Sequence, residues 1–258
     1  MIGAPLEPGT RVLLRMPDWL GDFVMAEPAV RALAAHVGPS NLSVAGSEHL
    51  LALLTGGSAE ARRIPHAPGT RGTAADWRGH DVALLLTGSF RSAWTAVRAG
   101  IGRRVGWARD ARALLLTDGF RPPLERGAVP LGLGRAGRRP RILPRPFPAA
   151  VSDLLGFVGV RVLDPHPRIE VEEGIEVELA ARLEGLGLAR TQPFLAANVG
   201  SRPGSAKGYP HGSFARAIER VRAETGLATV LVAGPGEEES VREVEARLGP
   251  GPAVIGAV

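Results

Sequence analysis

The chain's apolar positions follow two periods. Arg11–Met16 (RVLLRM) is an apolar run of strand length. Beyond a Gly-Asp turn at Gly21–Asp22, Phe23, Ala26, Val30, Leu33 and Val37 recur on one face of a helix of about four turns. Asn41–Ala45 predicts a second strand, His49–Leu54 a helix, and Asp81–Thr87 (DVALLLT) a third, strongly apolar strand. Ser89 suits an N-cap and Gly100 a stop for the helix between them. Strands alternating with helices through short loops predict a parallel sheet covered on both faces, and such strands read as near-continuous apolar runs.

Further on, short strands are expected at Arg104–Trp107 and Leu114–Thr117, then a loop rich in Pro, Gly and Arg over Pro122–Pro146. Val151, Leu154, Leu155 and Val158 mark an amphipathic helix, and Asp164–Arg168 (DPHPR) reads as a linker. The α/β rhythm then restarts. Ile175–Leu186 predicts a helix, Pro193–Asn198 a strand, Phe214–Val221 a helix, Ala228–Ala233 a strand, Glu237–Leu248 a helix and Ala253–Ile255 another strand. The expected organisation is two Rossmann-like domains with parallel sheets, residues 1–165 and 166–258, the second one incomplete.

Composition narrows the class. Of the 258 residues, 45% are hydrophobic and 22% charged, which describes a globular protein with a real core. No apolar run reaches the roughly 18 residues of a membrane span. Cysteine is absent, which excludes disulfides, thiolate metal sites and a cysteine nucleophile. With no secretory signal pattern at the N-terminus, a cytoplasmic protein is expected.

The net charge is +5, and Lys207 is the lone lysine among 31 basic residues. An arginine excess of that kind matches a GC-rich genome, so arginine carries little chemical signal by itself. Residues 98–145 nonetheless hold twelve arginines against Asp110, Asp118 and Glu125. A nucleic-acid site would pair such charge with a stacking pattern of aromatics. Only Trp107, Phe120 and Phe147 lie in or near the stretch, so no nucleic-acid partner is expected.

Three constellations have chemical potential. Asp18-Trp-Leu-Gly-Asp22 sits between the first strand and first helix, where carboxylates face the ligand crevice of open α/β sheets. Asp22 also suits the helix dipole. Gly200–Gly208 (GSRPGSAKG) lies between a strand and a helix; small residues there let the backbone approach an anion, and Lys207 adds a point charge. It lacks the Walker A order. Gly234–Glu239 follows the next strand, and a glutamate at such a turn can accept ribose hydroxyls or simply complement the dipole. Gly132–Gly137 matches GxGxxG but neither follows a strand nor opens a helix, so it is set aside. The six histidines show no metal-ligand spacing, and no GxSxG elbow is present.

Taken together, these segments resemble the ADP-heptose:lipopolysaccharide heptosyltransferases, glycosyltransferase family 9, with heptosyltransferase II the nearer subtype. Arg11–Leu33 is similar to the family's opening strand, W-x-G-D turn and first helix. Leu86–Trp107 (LTGSFRSAWTAVRAGIGRRVGW) is similar to its N-S-F-K-S-A and G-x-x-x-R-x-G-W segments. Asn198–Phe214 is similar to its P-G-A…A-K-R-W-P loop, and Leu231–Glu239 to its L-x-G-x-x-x-E turn.

The resemblance implies a GT-B fold and an inverting glycosyltransferase that uses no cofactor and no metal. It implies an ADP-sugar donor and an anionic glycolipid or glycan acceptor met at the inner membrane surface. Asp22 matches the general base; Trp19, Gly21, Ser89, Arg91 and Arg104 fall on the acceptor side. Gly200, Ser201, Ser205, Lys207 and Glu237 would hold the nucleotide. Two departures stand out. Gly208-Tyr209 replaces the family's Arg-Trp after the lysine, and no counterpart of its D-[ST]-G-x-x-H segment occurs. The alternative reading is therefore a truncated, non-catalytic remnant that binds an anionic glycolipid.

Overall fold

The computed structural model describes residues 3–58, 60–67, 72–121, 145–170, 173–189, 191–200, 208–234 and 236–249. The chain divides into two compact units, residues 1–170 and 171–258.

The first unit is built on six parallel strands: β1 (Val12–Arg15), β2 (Leu42–Ser47), β3 (Arg62–His66), β4 (Val82–Leu85), β5 (Arg103–Trp107) and β6 (Asp118–Phe120). Their order across the sheet is β3-β2-β1-β4-β5-β6. Central β1 pairs on both edges, with Leu14 between Val44 and Leu84. Successive residues feed opposite faces, so β1, β2 and β4 are buried throughout. Val12, Leu14 and Met16 pack with Phe23, Val30 and Leu33 of helix α1 (Leu20–Val37), and α4 (Phe147–Phe157) closes this side with Val151, Leu154 and Leu155. Leu13, Ala83 and Leu85 pack on the other side with Trp77 and with Ala93 and Ala96 of α3 (Phe90–Arg98). The short α2 (Glu48–Leu51) stops sooner than the His49–Leu54 expectation.

Two strands differ from the sequence reading. β3 was not expected, because RRIPH is charged, contains a proline and buries only Ile64 and His66. It is an edge strand, the position where proline is tolerated. The strand expected at Leu114–Thr117 is instead the end of a 3-10 turn, Asp110–Leu115, and β6 begins at Asp118. Leu114 is 88% exposed, so the LLL run does not pack as a strand would.

The second unit pairs β7 (Phe194–Asn198) with β8 (Ala228–Val232) in parallel. Ala197, Val199, Leu231 and Ala233 pack with Ala215 and Ile218 of α6 (His211–Thr225) and with Val241 and Val244 of α7 (Glu238–Glu245). Leu183 of α5 (Glu173–Gly185) covers the other face beside Ala228 and Val230. Gly226, at φ 68°, takes the left-handed conformation that ends α6. The expected strand at 253–255 lies outside the described residues.

The Asp164–Arg168 segment is fastened to α1. Glu27, buried to 1% exposure, accepts from Arg31 Nε at 2.9 Å and from the Arg168 backbone N–H at 3.0 Å. Arg31 also donates to His166 O at 2.7 Å and lies 3.6 Å from Asp164. The His166 N–H and ring, with Arg168, hold the Asp164 carboxyl down at about 2, so Asp164 keeps its charge until pH falls toward that value. Glu27→Ala is expected to cost about 1.5–3 kcal/mol, as for hydrogen bonds to a charged group. Thermal unfolding checks the loss, and faster proteolytic cleavage within residues 164–170 checks its place.

Candidate active site

In the first unit the chain runs outward from β1 to β2 and β3, then returns to β4 on the other side of β1. Adjacent connections therefore leave β1 and β4 for opposite faces of the sheet. A crevice opens outside the strand ends at such a reversal. Here it is a cavity of about 510 Å³, walled by the turn after β1 (Asp18, Trp19, Asp22), the turn after β4 (Thr87, Ser89) and the ends of β5 and β6 (Trp107, Phe120).

Asp22 lies in the first turn of α1, where the unpaired N–H groups favour a carboxylate. It is half-buried and has no hydrogen bond or ion pair among the described residues, so it is available to a ligand. Asp18 is engaged instead: both its oxygens accept from Arg15 at 2.8 Å. Ser89 caps α3, accepting from the Ser92 N–H at 3.4 Å, while Thr87 Oγ1 donates to Ser92 Oγ at 2.7 Å. Ser89 thus both faces the cavity and starts a helix.

The far wall is aromatic and charged. Trp107 and Phe147 lie 6.1 Å apart between ring centres, tilted by 48°. Arg145 makes a two-point ion pair with Asp153, both contacts at 2.7 Å. Arg109 also lines the cavity and has no hydrogen bond or ion pair among the described residues. Behind it, Arg112 is 2% exposed. It donates to Trp107 O at 3.3 Å, while its Nε and one terminal nitrogen have no partner. Burial, then the charge of Arg109, pushes Arg112 down to about 10. It still bears a proton at neutral pH.

Of the residues expected on the acceptor side, Trp19, Asp22 and Ser89 meet at this cavity. Gly21 is exposed beside them in the first turn of α1. Arg91 is exposed on α3 and is not part of the cavity wall. Arg104 is not part of the cavity wall either. It starts near the opposite end of β5, and its guanidinium donates to Leu115 O, Ile101 O and Gly102 O at 2.6–3.1 Å. Arg103 is likewise spent on Asp118 and the carbonyls of Ala4 and Pro5. Arg109 belongs to the Arg-rich stretch that the sequence reading places beside an anionic acceptor, whereas Arg145, Trp107 and Phe147 were not singled out as site residues. Their only signal was membership of the Arg-rich stretch and its few aromatics.

In the second unit, Gly200 and Glu237 come together at the carboxyl ends of β7 and β8. Glu237 Oε2 accepts from the Gly234 N–H at 2.8 Å, and a Cβ on Gly200 would overlap that carboxylate. A side chain at 200 therefore requires the Glu237 carboxylate to move. Ser201, Ser205 and Lys207 lie outside the described residues.

No family model matches the chain. Lipopolysaccharide heptosyltransferase 2 of Salmonella typhimurium is 25% identical and that of Escherichia coli 26%, each match covering 92% of this chain and 67% of the relative. A glycosyl transferase family 9 structure from Veillonella parvula superposes with TM-score 0.74 at 19% identity, over 97% of this chain and 70% of that one. The Escherichia coli ADP-heptose LPS heptosyltransferase II does so at 0.62 and 22%, over 93% and 69%. The sequence relatives make the chain a glycosyltransferase, and its α/β fold is shared with the GT-B-type neighbours. Within that class, the chain is similar in sequence and fold to the heptosyltransferases of family 9.

Arg112→Met is expected to leave the unfolding midpoint unchanged or to raise it, because a buried guanidinium without a carboxylate partner opposes folding at neutral pH. Thermal melts at pH 7 check this.

Proposed function

We propose that the chain moves a heptose or related sugar from an ADP-sugar to a lipopolysaccharide-type or other envelope glycan, with inversion, using Asp22 as general base. The observation that carries this reading is Asp22 itself, an unengaged carboxylate in a helix's first turn, facing the cavity at the sheet's reversal.

In this reading Asp22 takes the proton of an acceptor hydroxyl as its oxygen attacks the anomeric carbon. The bond to the diphosphate breaks with its electron pair leaving on ADP, from the opposite face of the sugar, which inverts the centre. Trp19, Gly21 and Ser89 would frame the acceptor, and Arg91 would meet it further out on α3. Trp107 and Phe147 offer apolar faces to sugar rings. Arg109 would receive an anionic group by paired N–H donation. Gly200, Ser201, Ser205 and Lys207 would hold the diphosphate, whose charge grows as it leaves, and Glu237 the ribose. The N-terminal unit would serve the acceptor and the C-terminal unit the donor. No described helix is long and apolar enough to cross a membrane. The acceptor would be met at the cytoplasmic face of the inner membrane.

Asp22→Asn is expected to lower transfer by about 10² to 10⁴ with the unfolding midpoint unchanged. Turnover above a third of wild type would make Asp22 a helix-start acid only. Glycolipid binding without transfer by the wild-type chain would favour the non-catalytic reading.

The cavity wall gives a second expectation. Arg109→Ser is expected to raise the acceptor KM about tenfold and flatten its dependence on salt, because one charged contact is lost. Arg104→Ser should leave KM alone and lower the unfolding midpoint. Steady-state kinetics at two ionic strengths, beside melts of both variants, distinguish the roles.

A further inference from the structure

Arg15 is the last residue of the central strand, paired between Ala45 and Leu85, and is 1% exposed. A guanidinium there is costly, and an apolar side chain of like volume would serve folding as well or better. Its donors reach forward instead. One terminal nitrogen donates to both Asp18 oxygens at 2.8 Å, the other to Met16 O, and Nε has no partner. His66, buried at the end of β3, brings Nε2 to 3.4 Å from Asp18 Oδ1.

These contacts pin the turn between β1 and α1. Met16 N–H still donates to Ala45 O at 2.9 Å, as a continuation of the sheet. The first α1 bond, Phe23 N–H to Trp19 O at 2.8 Å, forms one residue beyond Asp18. Asp18, held by Arg15, lies within this turn, and the turn decides where Trp19 and Asp22 stand in the cavity.

We propose that Arg15, Asp18 and His66 form a positioning unit that fixes the β1–α1 turn and thereby aims Asp22. The link to transfer rests on Asp22 as base; the link to the turn does not. Asp18 is a positioning residue in this scheme, its carboxylate held by Arg15 through both oxygens.

The double variant Arg15→Met/Asp18→Asn tests the unit in the whole chain. Its unfolding midpoint is expected to stay within a few degrees of wild type or rise, as when buried ion pairs give way to apolar groups. Amide exchange in peptides spanning residues 17–23 should quicken about tenfold, that of β2 and β4 peptides staying put. Transfer kcat should fall about 10- to 100-fold with the donor KM unchanged, the loss a displaced catalytic group produces. Unchanged exchange over 17–23 overturns the positioning unit, whatever the kinetics. Exchange that quickens while kcat holds overturns its link to catalysis, provided Asp22→Asn is inactive. An active Asp22→Asn removes the base reading and leaves the exchange result to decide the unit alone. If the double variant does not fold, Asp18→Asn alone and His66→Gln are read by the same exchange measurement.

Discussion

A parallel strand buried on both faces must satisfy its backbone through its two neighbours and surrender its side chains to two separate cores. β1 meets that demand completely, and most of the candidate site depends on the point where it stops. Because the next crossovers leave for opposite faces, a crevice opens outside the ends of β1 and β4. The cavity is the space that this reversal leaves open. Trp19, Asp22 and Ser89 reach it because they occupy the segments just beyond the two strands, where the topology opens the crevice and the Arg15–Asp18 contacts hold the first turn.

That dependence explains which features were legible in the sequence. Apolar runs such as VLLR and VALL identify buried strands directly, and the helical spacing of Phe23, Val30 and Leu33 identifies α1. From these the crevice residues follow. β3 was hidden because an edge strand with one outward face needs few apolar residues, and Arg62, Arg63 and Pro65 mask the pattern. The Leu114 run misled in the opposite sense, since three successive leucines look like a buried strand whichever way they face. Periodicity reports burial; it does not report which chain segment provides the burial partner.

Charge was legible only as an amount. The sequence places twelve arginines within residues 98–145, yet their roles diverge once the sheet is formed. Arg103 and Arg104 sit where β5 begins, away from the cavity, and their guanidiniums tie backbone carbonyls. Arg109 sits just past its end and faces the cavity. Five residues along a strand span about 16 Å, enough to carry a side chain from one edge of the sheet to the other. A run of like charges is therefore no guide to a binding surface until the strand direction is known. Arg112 marks the extreme case, buried with two nitrogens unpartnered and opposed by the like charge of Arg109.

Gly200 and Glu237 reveal a constraint of another sort. Parallel pairing of β7 with β8 brings their carboxyl ends side by side, so the turns that follow compete for one small space. Glu237 takes it, folding back to accept from the Gly234 N–H, and the backbone at 200 must pass close to that carboxylate. Glycine resolves the competition because it has no Cβ to collide with Oε2. The two positions are 37 residues apart in sequence, and neither glycine nor glutamate is unusual where it stands. Their coupling arises only when two strands pair. A larger residue at 200 would displace the carboxylate and break its bond to the Gly234 N–H, so the identity of one residue and the rotamer of the other are coupled.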